Sequence, residues 1–135
     1  METTARGDVP KTLQTIAYIS IPNSADLDFL LWDLQDAIAA YARFSGTVLP
    51  HPVDLKADNA DGVADGIVLA IEDMADDETL TAIEQALERF GSTGTRVYAV
   101  IQAAQESTEQ ARGAAVRLHK ACERHDQLWC GGVAI

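Results

Sequence analysis

Lysine and arginine are scarce in this chain: ten residues stand against 21 Asp and Glu, for a net charge of -11 and a pI near 4.4. Phosphate backbones are held by cations, so this balance excludes nucleic acid as a partner. It argues equally against an anionic membrane surface, and it fits a chain kept in solution by its own charge. Cysteine is scarce too, with only Cys122 and Cys130. Their spacing matches no metal motif and the three histidines do not cluster with them, so both read as small buried residues. Long apolar runs are absent: none approaches the roughly 20 residues needed to span a bilayer. Met1 to Lys11 (METTARGDVPK) has no apolar centre of the kind a secretory signal carries. It reads as a short disordered tail over residues 1–11, with the cytoplasm as the expected compartment. Residues 12–135 then form one domain, undivided by repeats, linkers or low-complexity segments.

What is present is a regular alternation. Leu13 to Ser20 (LQTIAYIS) is rich in strand formers. From Ser24 to Phe44 the residues Leu27, Leu30, Leu31, Leu34, Ile38 and Tyr41 recur at helical spacing, and Ser45-Gly46 ends the run. Thr47 to Leu55 (TVLPHPVDL) is a weaker strand whose prolines, Pro50 and Pro52, belong at a sheet edge. After a polar loop, Ile67 to Ile71 (IVLAI) is a buried strand, and Asp76 to Phe90 is a helix stopped by Gly91. Arg96 to Ala103 is a third buried strand, Ser107 to His125 a helix, and Trp129 to Ile135 a last strand. Strands alternating with helices predict a parallel sheet with right-handed crossovers, covered on both faces.

Three stretches carry a resemblance. "YISIPNSADLDF" (18–29) is a strand, a tight loop and a helix start, the arrangement that cradles a phosphate in nucleotide-binding folds. "ADGIVLA" (64–70) is a buried strand, and the segment from Arg96 to Ile135 joins a strand, a polar loop, a helix and Trp-Cys-Gly-Gly. Glu106, Glu109 and Gln110, then Trp129, Gly131 and Gly132, make that last segment similar to the flavodoxin-like NAD(P)H:FMN oxidoreductases. The resemblance follows element order over residues 12–135 and residue pattern from about 64 onward. It implies an α/β three-layer sandwich whose five parallel strands run 2-1-3-4-5, with FMN outside the strand C-termini.

If flavin is bound, the resemblance assigns its contacts to Ser20, Pro22, Asn23 and Ser24 after the first strand, and to Gln102, Gln105 and Glu106 after the fourth. The loops depart from the family's pattern. The first has no glycine, and Asp26 and Asp28 occupy the helix turn where a phosphate would sit on the dipole. Ser24 and these aspartates read as a self-capped helix. Between Glu72 and Glu78 five of seven residues are acidic, where the family tends to carry Pro and an aromatic. They read as a solvated helix start; a Mg²⁺ or Ca²⁺ site of Glu72, Asp73, Asp76 and Asp77 is the alternative, and no metal is expected.

A response-regulator receiver, the competing five-strand fold, requires an acidic pair after strand 1 and a Lys after strand 5, and neither is present. There is no catalytic constellation. His119 and His125 are six apart on one helix, and His51 sits between two prolines. Ser20 and Ser24 have no evident base.

The resemblance also implies a fifth helix after strand 5, and the chain reaches Ile135 without one. The first helix is then alone on its sheet face. Phe29 and Trp32 project from the side opposite its core stripe, and a helix apolar on two sides meets two partners. The expectation is a homodimer with Phe29 and Trp32 at its interface, or another protein subunit in that place. Two function classes follow. One is a non-catalytic binding or assembly module that has lost flavin. The other is an FMN-dependent NAD(P)H oxidoreductase, whole or a fragment, whose flavin is held by atypical loops or by a partner chain.

Overall fold

The structure, a computed structural model, describes residues 15–21, 25–46, 51–53, 64–72, 77–102 and 108–134. The expected tail over residues 1–11 lies outside them. In chain order the elements are β1 (Thr15–Ile21), α1 (Ala25–Ser45), β2 (His51–Pro52), β3 (Gly66–Ile71), α2 (Asp77–Phe90), β4 (Arg96–Ile101), α3 (Thr108–Arg124) and β5 (Leu128–Ala134). Every strand pair is parallel and the order is β2-β1-β3-β4-β5. The expected α/β, flavodoxin-like arrangement is the one observed. Pro52 acts as its chemistry requires: β2 is a two-residue strand at the sheet margin, where it costs no interior ladder bond, while Pro50 lies outside the described residues.

β3 is the hub, because each of its six residues is buried. Ile67, Leu69 and Ile71 face one way, with Ala17, Ile19 and Ile21 of β1 and Val97, Ala99 and Ile101 of β4. α2 closes this layer with Ile83, Leu87 and Phe90, and α3 with Ala114, Leu118, Ala121 and Cys122. Leu87 and Leu118 are fully enclosed, and each such burial is worth about 1.5–3 kcal/mol. Val68 and Ala70 face the other way with Ile16, and α1 meets them with Leu27 and Leu31.

Two helix ends are closed by residues with backbone conformations that side chains resist. Gly46, with φ 74°, follows α1 and suits the left-handed cap that lacks a Cβ penalty. Asp126, with φ 55°, does the same after α3. Its N–H donates to the Glu123 carbonyl at 3.2 Å, and the Gln127 N–H donates to the Cys122 carbonyl at 2.9 Å. That is the paired-bond Schellman closure, with aspartate where glycine is usual. The Gln127 side chain is buried and donates from Nε2 to the Leu87 carbonyl at 2.9 Å, so the turn after α3 caps α2. A methyl at Gly91 would collide with that amide.

Two expectations are corrected. Tyr41 was placed on the core stripe of α1, yet it is 70% exposed, and Ala42 is buried instead. The buried line runs Leu27, Leu31, Leu34, Ile38, Ala42 at steps of four or three, which turns Tyr41 onto the flank. Cys122 is buried as expected, but Cys130 is exposed. It lies where the β4–β5 register shifts, between Trp129, paired with Val97, and Gly131, paired with Tyr98. By alternation it shares the side of Leu128, which is itself 54% exposed, so it meets Tyr98 at the half-open surface and not the α2/α3 core.

Candidate functional site

The sheet order sets β1, β3 and β4 side by side, with Ile21, Ile71 and Ile101 aligned near their C-terminal ends. Three loops leave this edge, and α1, α2 and α3 start from it. Ser20 lies at the edge on the α1 side of β1, since Ile19 and Ile21 face the other layer. Its hydroxyl donates to Asp28 Oδ1 at 2.7 Å. Gln102 follows β4, half-buried, and its N–H donates to the Ile71 carbonyl at 2.8 Å. Glu72, directly after β3, is exposed. The structure thus brings Ser20 and Gln102 to one edge, on strands separated by β3. Pro22, Asn23, Ser24, Gln105 and Glu106 lie outside the described residues, as do Asp73 and Asp76. Among the described residues no cluster of three or more His, Cys, Asp or Glu is placed to hold a metal.

The Ser20–Asp28 bond decides what this edge can offer. A hydroxyl that could donate to a phosphate already donates to a carboxylate, and charge-assisted bonds of that kind are the strong ones. The carboxylate also sits in the first turn of α1 together with Asp26, where the dipole stabilises it by roughly 0.3–1 kcal/mol. The field beyond the helix is of the same sign. Segments 20–28, 71–80 and 101–111 carry nine of the 21 acidic residues and none of the ten Lys and Arg. A dianionic ligand there would meet uncompensated negative charge.

A second surface is built on the α1 side of β4 and β5. Val97, Ala99 and Ile101 point to the α2/α3 layer, so Arg96, Tyr98 and Val100 point to the α1 side, and each is only half-buried. Leu128 pairs with Arg96 and is 54% exposed. α1 packs chiefly on β1 and β3 and reaches the β4 side through the cluster against which Tyr98 packs. Tyr98, Arg96 and Cys130 interact here, and the Tyr98 phenol is pushed up, chiefly by burial and then by the neighbouring thiol. Cys122, in the opposite layer, has its thiol pushed up to about 11, mainly by burial, and is protonated and inert at neutral pH.

Beside the strip stands the outer surface of α1. Phe29 is 62% and Trp32 63% exposed, so both expected interface residues are free of the core, as are Tyr41 and Phe44. The outward positions of Tyr41 and Phe44 were missed in the sequence, because Tyr41 was read on the core stripe and only Phe29 and Trp32 on the second apolar side. The half-open strip had a legible signal: Arg96, Tyr98 and Val100 alternate with fully buried neighbours. A further concavity lies on the outside of α3, lined by Arg112, Gly113, Val116, Arg117 and Lys120. It is not part of the strand-end edge.

No protein-family model matches the chain, and no curated protein sequence is significantly similar to it.

Proposed function

We propose that this chain is a flavodoxin-like domain, related to the FMN-dependent NAD(P)H oxidoreductases, that works as a non-catalytic binding or assembly module without flavin. It acts in the cytoplasm as a homodimer through the exposed face of α1. The observation that carries the first part is the Ser20 hydroxyl committed to Asp28 Oδ1 at 2.7 Å, in the turn where the family holds its phosphate. The charge of the three loop segments acts in the same direction. Among the described residues no helix is long and apolar enough to cross a membrane, in keeping with an aqueous setting.

The second reading, an FMN-dependent oxidoreductase with flavin held by atypical loops or by a partner chain, has the sheet in its favour. The 2-1-3-4-5 order creates a switch point between strands where doubly wound folds take nucleotides.

An absorbance spectrum separates the two. Purified, desalted protein is expected to be colourless, and titration with FMN to give no saturable quenching of flavin fluorescence. A yellow preparation that keeps its flavin through desalting would overturn the module reading in favour of the reductase. Sedimentation velocity at micromolar concentration tests the dimer: wild type is expected to sediment as a dimer, and a Phe29→Glu, Trp32→Glu double variant as a monomer.

A further inference from the structure

We propose that the strip over β4 and β5 is the seat for α1 of the second copy, so that each subunit covers the sheet surface that the described residues of the other leave half-open. This rests on the homodimer reading and specifies which surface receives the exposed helix.

The first ground is the character of α1. α2 and α3 are clearly two-faced, as helices with one apolar partner are. α1 buries Leu27 and Leu31 against its own sheet, and still carries Phe29, Trp32, Tyr41 and Phe44 between 62% and 92% exposed. Tyr41 lies half a turn round the helix from Trp32, so Phe29, Trp32 and Phe44 share the outward side. At 150–250 Å² for each aromatic side chain, they leave roughly 300–550 Å² exposed there. A stable pair needs about 800 Å² from each partner, so these rings supply about half of one side, and Leu128 and the neighbouring strand surface add to it.

The second ground is self-complementarity. The projecting apolar helix and the recessed half-open strip lie next to each other on one face of one sheet. A two-fold axis passing between them sets the helix of each copy into the strip of the other, and both contacts form at once. A partner of different sequence would have to supply a strip and a helix in the same spacing. A second copy has both by construction.

Charge completes the fit. The outer surface of α1 exposes Asp33 and Asp36 near Trp32. Among the described residues of β4 and β5, the cation on the open side is Arg96, half-buried beside Tyr98. In this arrangement Arg96 gains a carboxylate partner from the second copy, where its own sheet offers a phenol.

Leu128→Glu is the direct test, because the residue is 54% exposed and its replacement leaves the α2/α3 layer intact. Wild type, Leu128→Glu and the Phe29→Glu, Trp32→Glu variant are compared by sedimentation velocity, with circular dichroism confirming each fold. The expected result is a dimeric wild type and two monomeric variants. A dimeric Leu128→Glu beside a monomeric helix variant would overturn the strip and leave the dimer standing. A monomeric wild type would overturn both. A measurement without substitution guards against misfolding. Alkylation of Cys130 by iodoacetamide is expected to slow at least several-fold when wild type is concentrated from below to above its dimer dissociation constant. An unchanged rate across a demonstrated dimerisation would likewise remove the strip from the interface.

Discussion

The two faces of this sheet are built from the same five strands and have opposite fates. On one, β1, β3 and β4 contribute alternate aliphatics, and two helices with single apolar faces close over them. On the other, α1 alone meets Ile16, Val68 and Ala70, and Tyr98, Val100 and Leu128 stay partly open. The closed side is largely aliphatic, whereas the α1 side carries Tyr18, Ser20, Arg96 and Tyr98, and among the described residues one helix packs there against two on the closed side. A sheet face is finished only when the layer above it is as wide as the sheet. Where that layer is narrower, strand surface stays open, and the exposed rings of α1 lie beside it.

The comparison can be broken with two leucines of equal chemistry. Leu118→Ala, on the closed side and fully buried, is expected to cost about 2–5 kcal/mol, the transfer term plus the cavity left behind. Leu128→Ala, measured by urea denaturation in dilute monomeric protein, is expected to cost well under about 1 kcal/mol, as exposed positions do. Equal losses would mean that the two faces are equally packed. A smaller effect, about 1–3 kcal/mol, is expected for Gly91→Ala. The new methyl displaces the Gln127 amide from the Leu87 carbonyl, which keeps its backbone N–H donor, and leaves the buried Nε2 donor of Gln127 unpaired. Thermal unfolding of this variant should show the loss with the fold unchanged. A variant as stable as wild type would show that Gln127 does not cap α2.

The closed face was the legible one. Ile67 to Ile71 is an unbroken apolar run between turn signals, and Leu80, Ile83, Leu87 and Phe90 step along α2 at helical spacing, so strand and helix followed from periodicity, while the 2-1-3-4-5 order followed from the resemblance alone. The open face was half legible. The outward side chains of Phe29 and Trp32 could be read, whereas Tyr41 was assigned to the core. On a helix apolar all round, the periodic signal cannot choose between two neighbouring stripes. Cys130 was misread for a different reason: its strand face is half-open, and the tendency of free cysteine to sit in cores does not say which face it takes. The end of α3 was read within one residue, at His125 against Arg124, but its closure was not, since Asp126 takes a backbone conformation that the sequence rules assign to glycine. At the strand-end edge, the acidic first turn of α1 was legible as a self-cap. The bond that commits Ser20 to Asp28 crosses eight residues and follows from neither propensity nor spacing.

The smallest effect belongs to the outer rim of the closed face. Arg124 of α3 donates from Nε and a terminal nitrogen to the two carboxylate oxygens of Glu84 on α2, at 3.0 and 2.9 Å. His125 Nε2 lies 3.4 Å from Glu84 Oε1, within ion-pairing range but without hydrogen-bond geometry. These partners, Arg124 first, hold the Glu84 carboxyl below its ordinary value of 4.5. A carboxyl whose pKa is depressed by folding stabilises the native state above its unfolded pKa, and that contribution fades as pH falls through the folded value. Arg124→Ala should therefore lower the melting temperature slightly at pH 7, because the pair is solvent-exposed and screened. The gap to wild type should close as the pH drops below 4.5 and Glu84 becomes protonated. It should also narrow in molar salt at pH 7, where exposed pairs are screened within a few ångströms. A gap of the same size at pH 3 and at pH 7 would assign the role of Arg124 to the packing of its aliphatic stem, and the join between α2 and α3 would then rest on apolar contact and the Gln127 cap.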